Sequence, residues 1–236
     1  MTEFKIAIYA DGASVDGMIE AREKWPVSGF TTNPSLMKKA GVTDYVQFAK
    51  EALTAVQGMP LSFEVFSDDF EKMEKEAERI SSLGSNVFVK IPITNTKGES
   101  SVPLIKKLSS RGIQVNVTAI LTLNQVKDVV KVLSPDTKNI ISVFAGRIAD
   151  TGVDPMPLMK EAVTITSNYP QADLLWASCR EVFNIFQAQE LGVDIITVTN
   201  AVLNKLSMVG KDLNQLSLET VQGFYKDVKA LGFSII

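Results

Sequence analysis

In FVKIPI, residues 88–93, a lysine stands inside an otherwise apolar run. If the run is a β-strand, side chains alternate, so Val89 and Ile91 face one way while Phe88 and Lys90 face the other. An unpaired ammonium in an apolar interior is costly, and lysine is among the residues least often buried. A structural, salt-bridged lysine needs a compensating carboxylate, and none lies nearby in sequence. Desolvation instead favours the neutral amine, a nucleophile suited to forming a Schiff base with a carbonyl compound.

The same alternation puts other polar residues on the side of Lys90: Tyr9 and Asp11, Glu64, Asn116 with Thr118, and Ser142 with Phe144. Farther along it selects Trp176, Ser178 and Arg180. Glu64, Lys90, Asn116 and Ser142 recur at equal intervals, as expected if each holds the same height in consecutive βα units and the four form a ring. Arg147 and Arg180 close two later segments, where forked guanidinium groups beside Ser142 and Ser178 would suit an oxyanion. The competing explanation is two solvated arginines. Cys179 alternates outward and reads as a small packing residue.

Composition removes whole classes of chemistry. With His 0, the chain builds neither a Ser-His-Asp triad nor a histidine zinc site, so acid–base work falls to Asp, Glu, Lys or Tyr. With Cys 1 it has no disulfide or cysteine metal cluster, which fits a reducing compartment such as the cytoplasm. A formal net charge of -3 with scattered Lys and Arg argues against nucleic acid as a partner. Glu3 and Lys5 interrupt any signal core at the N-terminus, and no apolar run is long enough to span a membrane.

The elements that must position these residues follow a repeating pattern. Short β-branched runs at 4–11, 28–33, 61–66, 86–93, 113–120, 139–146, 172–178 and 194–199 alternate with segments of helical period. The clearest helix is predicted over 69–83, with Phe70, Met73, Ala77 and Ile80 on one face, Glu71 set to pair with Lys75, and Gly84 as its stop. Gly58, Gly112 and Gly192 end helices ahead of other strands in the same way. Eight βα units in series, without a linker, predict an α/β fold in which residues 1–236 form one (β/α)8 TIM barrel, its site at the C-terminal strand ends. After the eighth strand come a helix near 200–209 and a surplus one near 217–231. The stripe Leu218, Val221, Phe224, Val228 and Leu231 on the latter must be buried on its own barrel or on a neighbour's.

With these residues placed, the chain resembles the transaldolase family, short subfamily, along nearly its whole length. TTNPSL at 31–36, FVKIPIT at 88–94, VNVTAIL at 115–121, SVFAGR at 142–147 and ASCR at 177–180 match family blocks in order and spacing. The resemblance implies a class I enzyme of the pentose phosphate pathway, without metal or cofactor. It would move a dihydroxyacetone unit from sedoheptulose 7-phosphate or fructose 6-phosphate to glyceraldehyde 3-phosphate or erythrose 4-phosphate. It implies Lys90 as the Schiff-base lysine, Glu64 and Thr118 as holders of a proton-relaying water, and Asp11 as the second acid–base group. Asn33 and Asn116 would bind the hydroxyls of the three-carbon unit; Ser142, Arg147, Ser178 and Arg180 would bind the phosphate, with Phe144 at the substrate. It further implies a homo-oligomer, such as the short subfamily's decamer of two pentameric rings with a C-terminal helix reaching onto a neighbour.

The sister fructose-6-phosphate aldolases, which release free dihydroxyacetone, usually carry glutamine and tyrosine where this chain has Glu64 and Phe144. Both positions take the transaldolase form, which favours transfer over cleavage. Departures from the family pattern are Val143 and Ala145, and a bulky Trp176 that would narrow the pocket. Three other readings compete: an idle phosphate-binding barrel, a pyridoxal-phosphate enzyme, and a metal-dependent aldolase. The first has no use for Lys90, Glu64 and Asp11 together, the second wants a glycine-rich phosphate loop, and the third usually wants histidine ligands.

Overall fold

The computed structural model describes residues 4–233 and 235, so Glu3 lies outside the described residues. Eight parallel strands close into a barrel in chain order: β1 (Ala7–Asp11), β2 (Val27–Thr31), β3 (Leu61–Glu64), β4 (Val87–Pro92), β5 (Val115–Ile120), β6 (Asn139–Val143), β7 (Ala172–Trp176) and β8 (Ile195–Thr199). β1 pairs with both β2 and β8, which completes the closure. This is the TIM-barrel topology; seven strands fall within the expected runs with trimmed ends, and β2 begins at Val27, one residue ahead of the expected 28.

Helices coat the barrel: α1 (Val15–Lys24), α2 (Pro34–Lys39), α3 (Tyr45–Ala55), α4 (Phe70–Ser81), α5 (Val102–Ser110), α6 (Leu123–Val130), α7 (Ala145–Asp150), α8 (Met156–Thr166), α9 (Phe183–Leu191), α10 (Asn200–Leu203) and α11 (Leu213–Leu231). Their starts are written locally. Asp69 caps α4 by accepting the amide of Lys72, and Thr122 with Gln125 forms a reciprocal capping box on α6. α4 buries Met73, Ala77 and Ile80 as expected, but Gly84 lacks the left-handed backbone of Gly58, Gly112 and Gly192, and Ser82 caps the helix instead. Glu71 and Lys75 form no ion pair among the described residues; Glu74 bridges across to Lys107 and Arg111 on and after α5.

Two apolar layers follow from the alternation along each strand. Val89, Ile91, Val117, Ile141, Leu174 and Ile196 join the layer beneath the helices. Tyr9, Phe88, Ile140, Leu175, Ala177 and Ile195 fill the lumen. The Tyr9 ring lies over Gly29, where a Cβ would come within 2.5 Å of ring carbons, so only glycine fits beneath it. Burial and the neighbouring Asp173 raise the Tyr9 phenol to about 12.

One alternation is corrected. Leu175 and Ala177 face the lumen, whereas Trp176 is packed in the outer layer and does not line the pocket. Strand β7 ends at Trp176, and Ser178 takes a left-handed backbone with φ 64, so two-residue parity counted back from Arg180 fails there. Cys179 sits in the outer layer, its thiol raised to about 12 by burial.

Beyond β8, the helix expected near 200–209 is α10 followed by a 3-10 turn at Asn204–Met208. α11 begins before the expected 217, capped by Asp212, and none of its residues is buried. Its stripe residues Leu218, Val221, Phe224, Val228 and Leu231 are 51%, 59%, 66%, 54% and 60% exposed, so this barrel does not cover them. No helix among the described residues is long and apolar enough to cross a membrane.

Candidate active site

The Lys90 side chain enters the lumen one layer above Phe88. Its Nζ donates to the backbone oxygen of Thr32 at 2.8 Å and stands 3.2 Å from Glu64 Oε2. The compensating carboxylate absent from the local sequence therefore arrives from the adjacent strand, where Glu64 is in register with Lys90. Barrel pairing supplies a partner that chain proximity does not.

Lys90 is in register with Asn116 on its other side. Fully buried Asn116 donates to Ser62 Oγ at 3.0 Å and accepts from Ser142 Oγ at 2.7 Å. The four evenly spaced residues thus meet, as Glu64–Lys90 and Asn116–Ser142 pairs on consecutive strands. Ser142 spends its hydroxyl proton on this ring, away from the arginines. Thr118, paired with Pro92 one step higher, has a buried hydroxyl without a protein partner among the described residues. A register shift between Val117 and Ile120, with Ala119 left-handed at φ 62, sets its position. Such strained positions cluster at working sites.

Asp11 ends β1 opposite Thr31, whose hydroxyl donates to Asp11 Oδ1 at 2.7 Å. Burial raises the Asp11 carboxyl above the ordinary range and Glu64 adds to this; Lys90 and the Thr31 bond pull the other way. Asn33 caps α2, its side-chain oxygen accepting the amide of Leu36 at 3.0 Å, so only its amide nitrogen is free to donate elsewhere. A cavity of about 290 Å³ borders Asp11 beside Gly12, Leu36 and Lys39. A larger one of about 760 Å³ borders Glu64 beside Tyr45, Asp68 and Thr94.

The arginines occupy a different setting. Arg147, on α7, lies 5.3 Å from the centroid of the Phe144 ring, in a cation–π arrangement. Arg180 is ion-paired with Asp150, at the end of the same short helix. Ser178 lies against α7: a Cβ on Gly146 would run into the Ser178 carbonyl at 1.6 Å, so glycine there lets the loop after β7 close on α7. Among the described residues no group of three or more His, Cys, Asp or Glu is arranged to hold a metal ion.

Chemically, the lumen offers an amine with a carboxylate in contact, a second carboxyl of raised pKa, and a buried hydroxyl without a protein partner among the described residues. That set can condense an amine with a carbonyl and shuttle protons around the adduct. The sequence reading missed four contributors: the Thr32 carbonyl, and the hydroxyls of Ser62, Thr31 and Thr197. The alternation that selected Asp11 and Glu64, applied to strands β2 and β8, would have found Thr31 and Thr197.

The sequence that builds this site is similar to known proteins along almost its whole length. The family model described as transaldolase/fructose-6-phosphate aldolase matches residues 8–235. A "probable transaldolase" of Thermoanaerobacter sp. (strain X514) is 35% identical over 228 residues, covering 96% of this chain and 99% of the relative. Those of Ruegeria sp. (strain TM1040) and Nitrosopumilus maritimus (strain SCM1) are 34% and 33% identical, covering 97% and 94% of this chain and 99% and 96% of their own.

Proposed function

We propose, from the premise that this chain belongs to the transaldolase/fructose-6-phosphate aldolase family, that it is a class I transaldolase acting on sugar phosphates. The observation that carries the reading is the buried Lys90 amine held between Glu64 and the Thr32 carbonyl in the barrel lumen. The donor is sedoheptulose 7-phosphate or fructose 6-phosphate and the acceptor glyceraldehyde 3-phosphate or erythrose 4-phosphate, a reaction of the pentose phosphate pathway in the cytoplasm. No metal or cofactor takes part, and neither nucleic acid nor membrane is a partner.

Lys90 adds to the ketose carbonyl carbon and water leaves, giving an iminium ion. Asp11 takes the proton of the hydroxyl two carbons from that iminium carbon, and the bond breaks between the carbon bearing that hydroxyl and the carbon next to the iminium carbon. The aldose departs while the bond's electron pair is held as an enamine on Lys90. The enamine adds to the aldehyde of the acceptor, Asp11 returns its proton to the new alkoxide, and water hydrolyses the imine. Glu64 and the unpartnered Thr118 hydroxyl are suited to hold the water that enters and leaves. Asn116 and the free amide nitrogen of Asn33 bind the hydroxyls of the three-carbon unit; Arg147, Arg180, Ser178 and Ser142 take the phosphate, with Phe144 bordering them. The phosphate must draw Arg180 from Asp150, and Ser142 must turn from Asn116.

Glu64 and Phe144 favour transfer over release of free dihydroxyacetone, and the names of the relatives agree with this. The exposed stripe of α11 supports a homo-oligomer, with the decamer of two pentameric rings as its form; sedimentation of the intact chain checks this. The deciding experiment is intact mass after incubation with fructose 6-phosphate and borohydride, beside Lys90→Ala. A gain of one reduced dihydroxyacetone unit, absent in the variant, is expected. No gain in the parent overturns the mechanism. Turnover that continues without an aldose acceptor would mark the aldolase instead.

A further inference from the structure

Strand β1 is flanked by β2 and β8, with Asp11 opposite Thr31 and Tyr9 opposite Thr197. Thr31 and Thr197 come from opposite neighbours of β1, yet their hydroxyl oxygens are in hydrogen-bond contact inside the barrel, and both residues are buried. Thr31 also contacts Asp11 Oδ1 at 2.7 Å. A hydroxyl carries one proton. With the ionised Asp11 only accepting, the Thr31 proton points at Oδ1, so Thr197 must be the donor to Thr31. The order is Thr197 to Thr31 to Asp11, and β-branching at both threonines restricts their rotation.

We infer that this two-hydroxyl chain positions Asp11 and reserves its Oδ2 as the oxygen that exchanges the substrate's proton. The inference rests on the reading of Asp11 as the acid–base group. A proton arriving at Oδ1 would compete with the Thr31 hydroxyl for that oxygen and weaken the bond that holds the carboxyl in place. Oδ2 accepts it without rearrangement. Thr31 and Thr197 are therefore positioning residues acting through Asp11, and Thr197 acts only through Thr31.

The chain also tunes the carboxyl, because a donor to the charged form favours that form. The charged or titratable groups facing Asp11 are Lys90 from β4, Glu64 from β3, the neutral Cys179 thiol beyond β7, and Lys39 of α2 across the small cavity. Strand β8 brings no charge to Asp11, only Thr197 and Thr199. Loss of the Thr31 donor leaves burial less opposed, so Asp11 holds its proton to higher pH.

The test uses the full chain, with fructose 6-phosphate and erythrose 4-phosphate as substrates, in parent, Thr31→Val, Thr31→Ser and Thr197→Val. Borohydride trapping on each comes first, since adduct formation at Lys90 does not need the Asp11 step. Thr31→Val is expected to trap normally, lose roughly tenfold or more in kcat at neutral pH, and shift the acid limb of its kcat profile up by about one pH unit. KM should stay within a few-fold. Thr31→Ser should restore both, and Thr197→Val should shift the limb the same way by less.

An unmoved limb in Thr31→Val, or equal impairment in Thr31→Ser, with trapping intact, overturns the inference. So does an effect confined to KM, which would make Thr31 a substrate contact. If the parent itself fails to trap, the functional reading falls and this inference with it. Should Thr31→Val not fold, Thr31→Ala carries the same expectations, with Thr197→Val again shifting the limb the same way by less.

Discussion

Two ion pairs lie on the two sides of the barrel mouth, and their surroundings differ more than their chemistry. Lys90 and Glu64 are 7% and 16% exposed, joined between neighbouring strands; Arg180 and Asp150 are 50% and 55% exposed, joined between a loop and a short helix. Buried charges are held by partners that cannot be removed singly, while exposed ones exchange partners with solvent and salt. A catalytic centre wants the first property, and a site that must grip and release an anion wants the second.

The largest expected difference is in activity. Lys90→Ala should lower kcat by about a thousandfold or more, the covalent step of the proposed mechanism being lost. Residual activity within tenfold of the parent would remove the distinction between the pairs. Stability should separate them next. Lys90→Met strands Glu64 and should cost about 3–5 kcal/mol in denaturant unfolding, with Lys90→Met/Glu64→Gln recovering most of it, whereas Arg180→Ala should cost no more than about 1 kcal/mol. Equal costs for the two single variants would break the comparison.

Ligand affinity should reverse the order. Arg180→Ala should raise KM for the phosphorylated donor about tenfold with little change in kcat, the loss of one charge-assisted contact. Asp150→Asn should lower that KM slightly, because Arg180 no longer needs to be drawn from a partner. A raised KM in Asp150→Asn would mean that the pair presents the arginine to its ligand and does not compete for it.

The smallest effect is a slope with pH. The Asp11 carboxyl is raised by burial, so the folded chain holds a proton that the unfolded chain releases above about pH 3.9. Stability then falls as pH rises through that window and stays lower above it. Asp11→Asn removes the penalty: thermal unfolding should show it more stable than the parent at neutral pH, with the gap closing toward acid. A gap that widens toward acid would mean that Lys90 attraction outweighs burial.

Much of the lumen was legible in the sequence because a barrel converts strand parity and repeat length into position. Lys90, Glu64 and Asn116 needed only an alternation and equal spacing. What failed was whatever depends on backbone exceptions or closure. Trp176 was misplaced because the left-handed Ser178 resets the alternation. The Lys90 partner was missed as such because register between strands is not proximity along the chain. Thr31 and Thr197 meet only because β8 returns to β1, a contact that no local window contains.

The tyrosine lying over Gly29 has a consequence for traffic. With Tyr9, Phe88, Ile140, Leu175 and Ile195 filling the lower lumen, the barrel is a vessel with one door. Whatever enters at the strand ends must leave by the same opening, so the donor and acceptor of the proposed transfer would have to queue, the first product clearing the doorway before the second reactant arrives. A side chain added at Gly29 would tilt the stopper. The resulting leak would let water approach the reactive layer from below, and a held intermediate would be lost to hydrolysis before its turn.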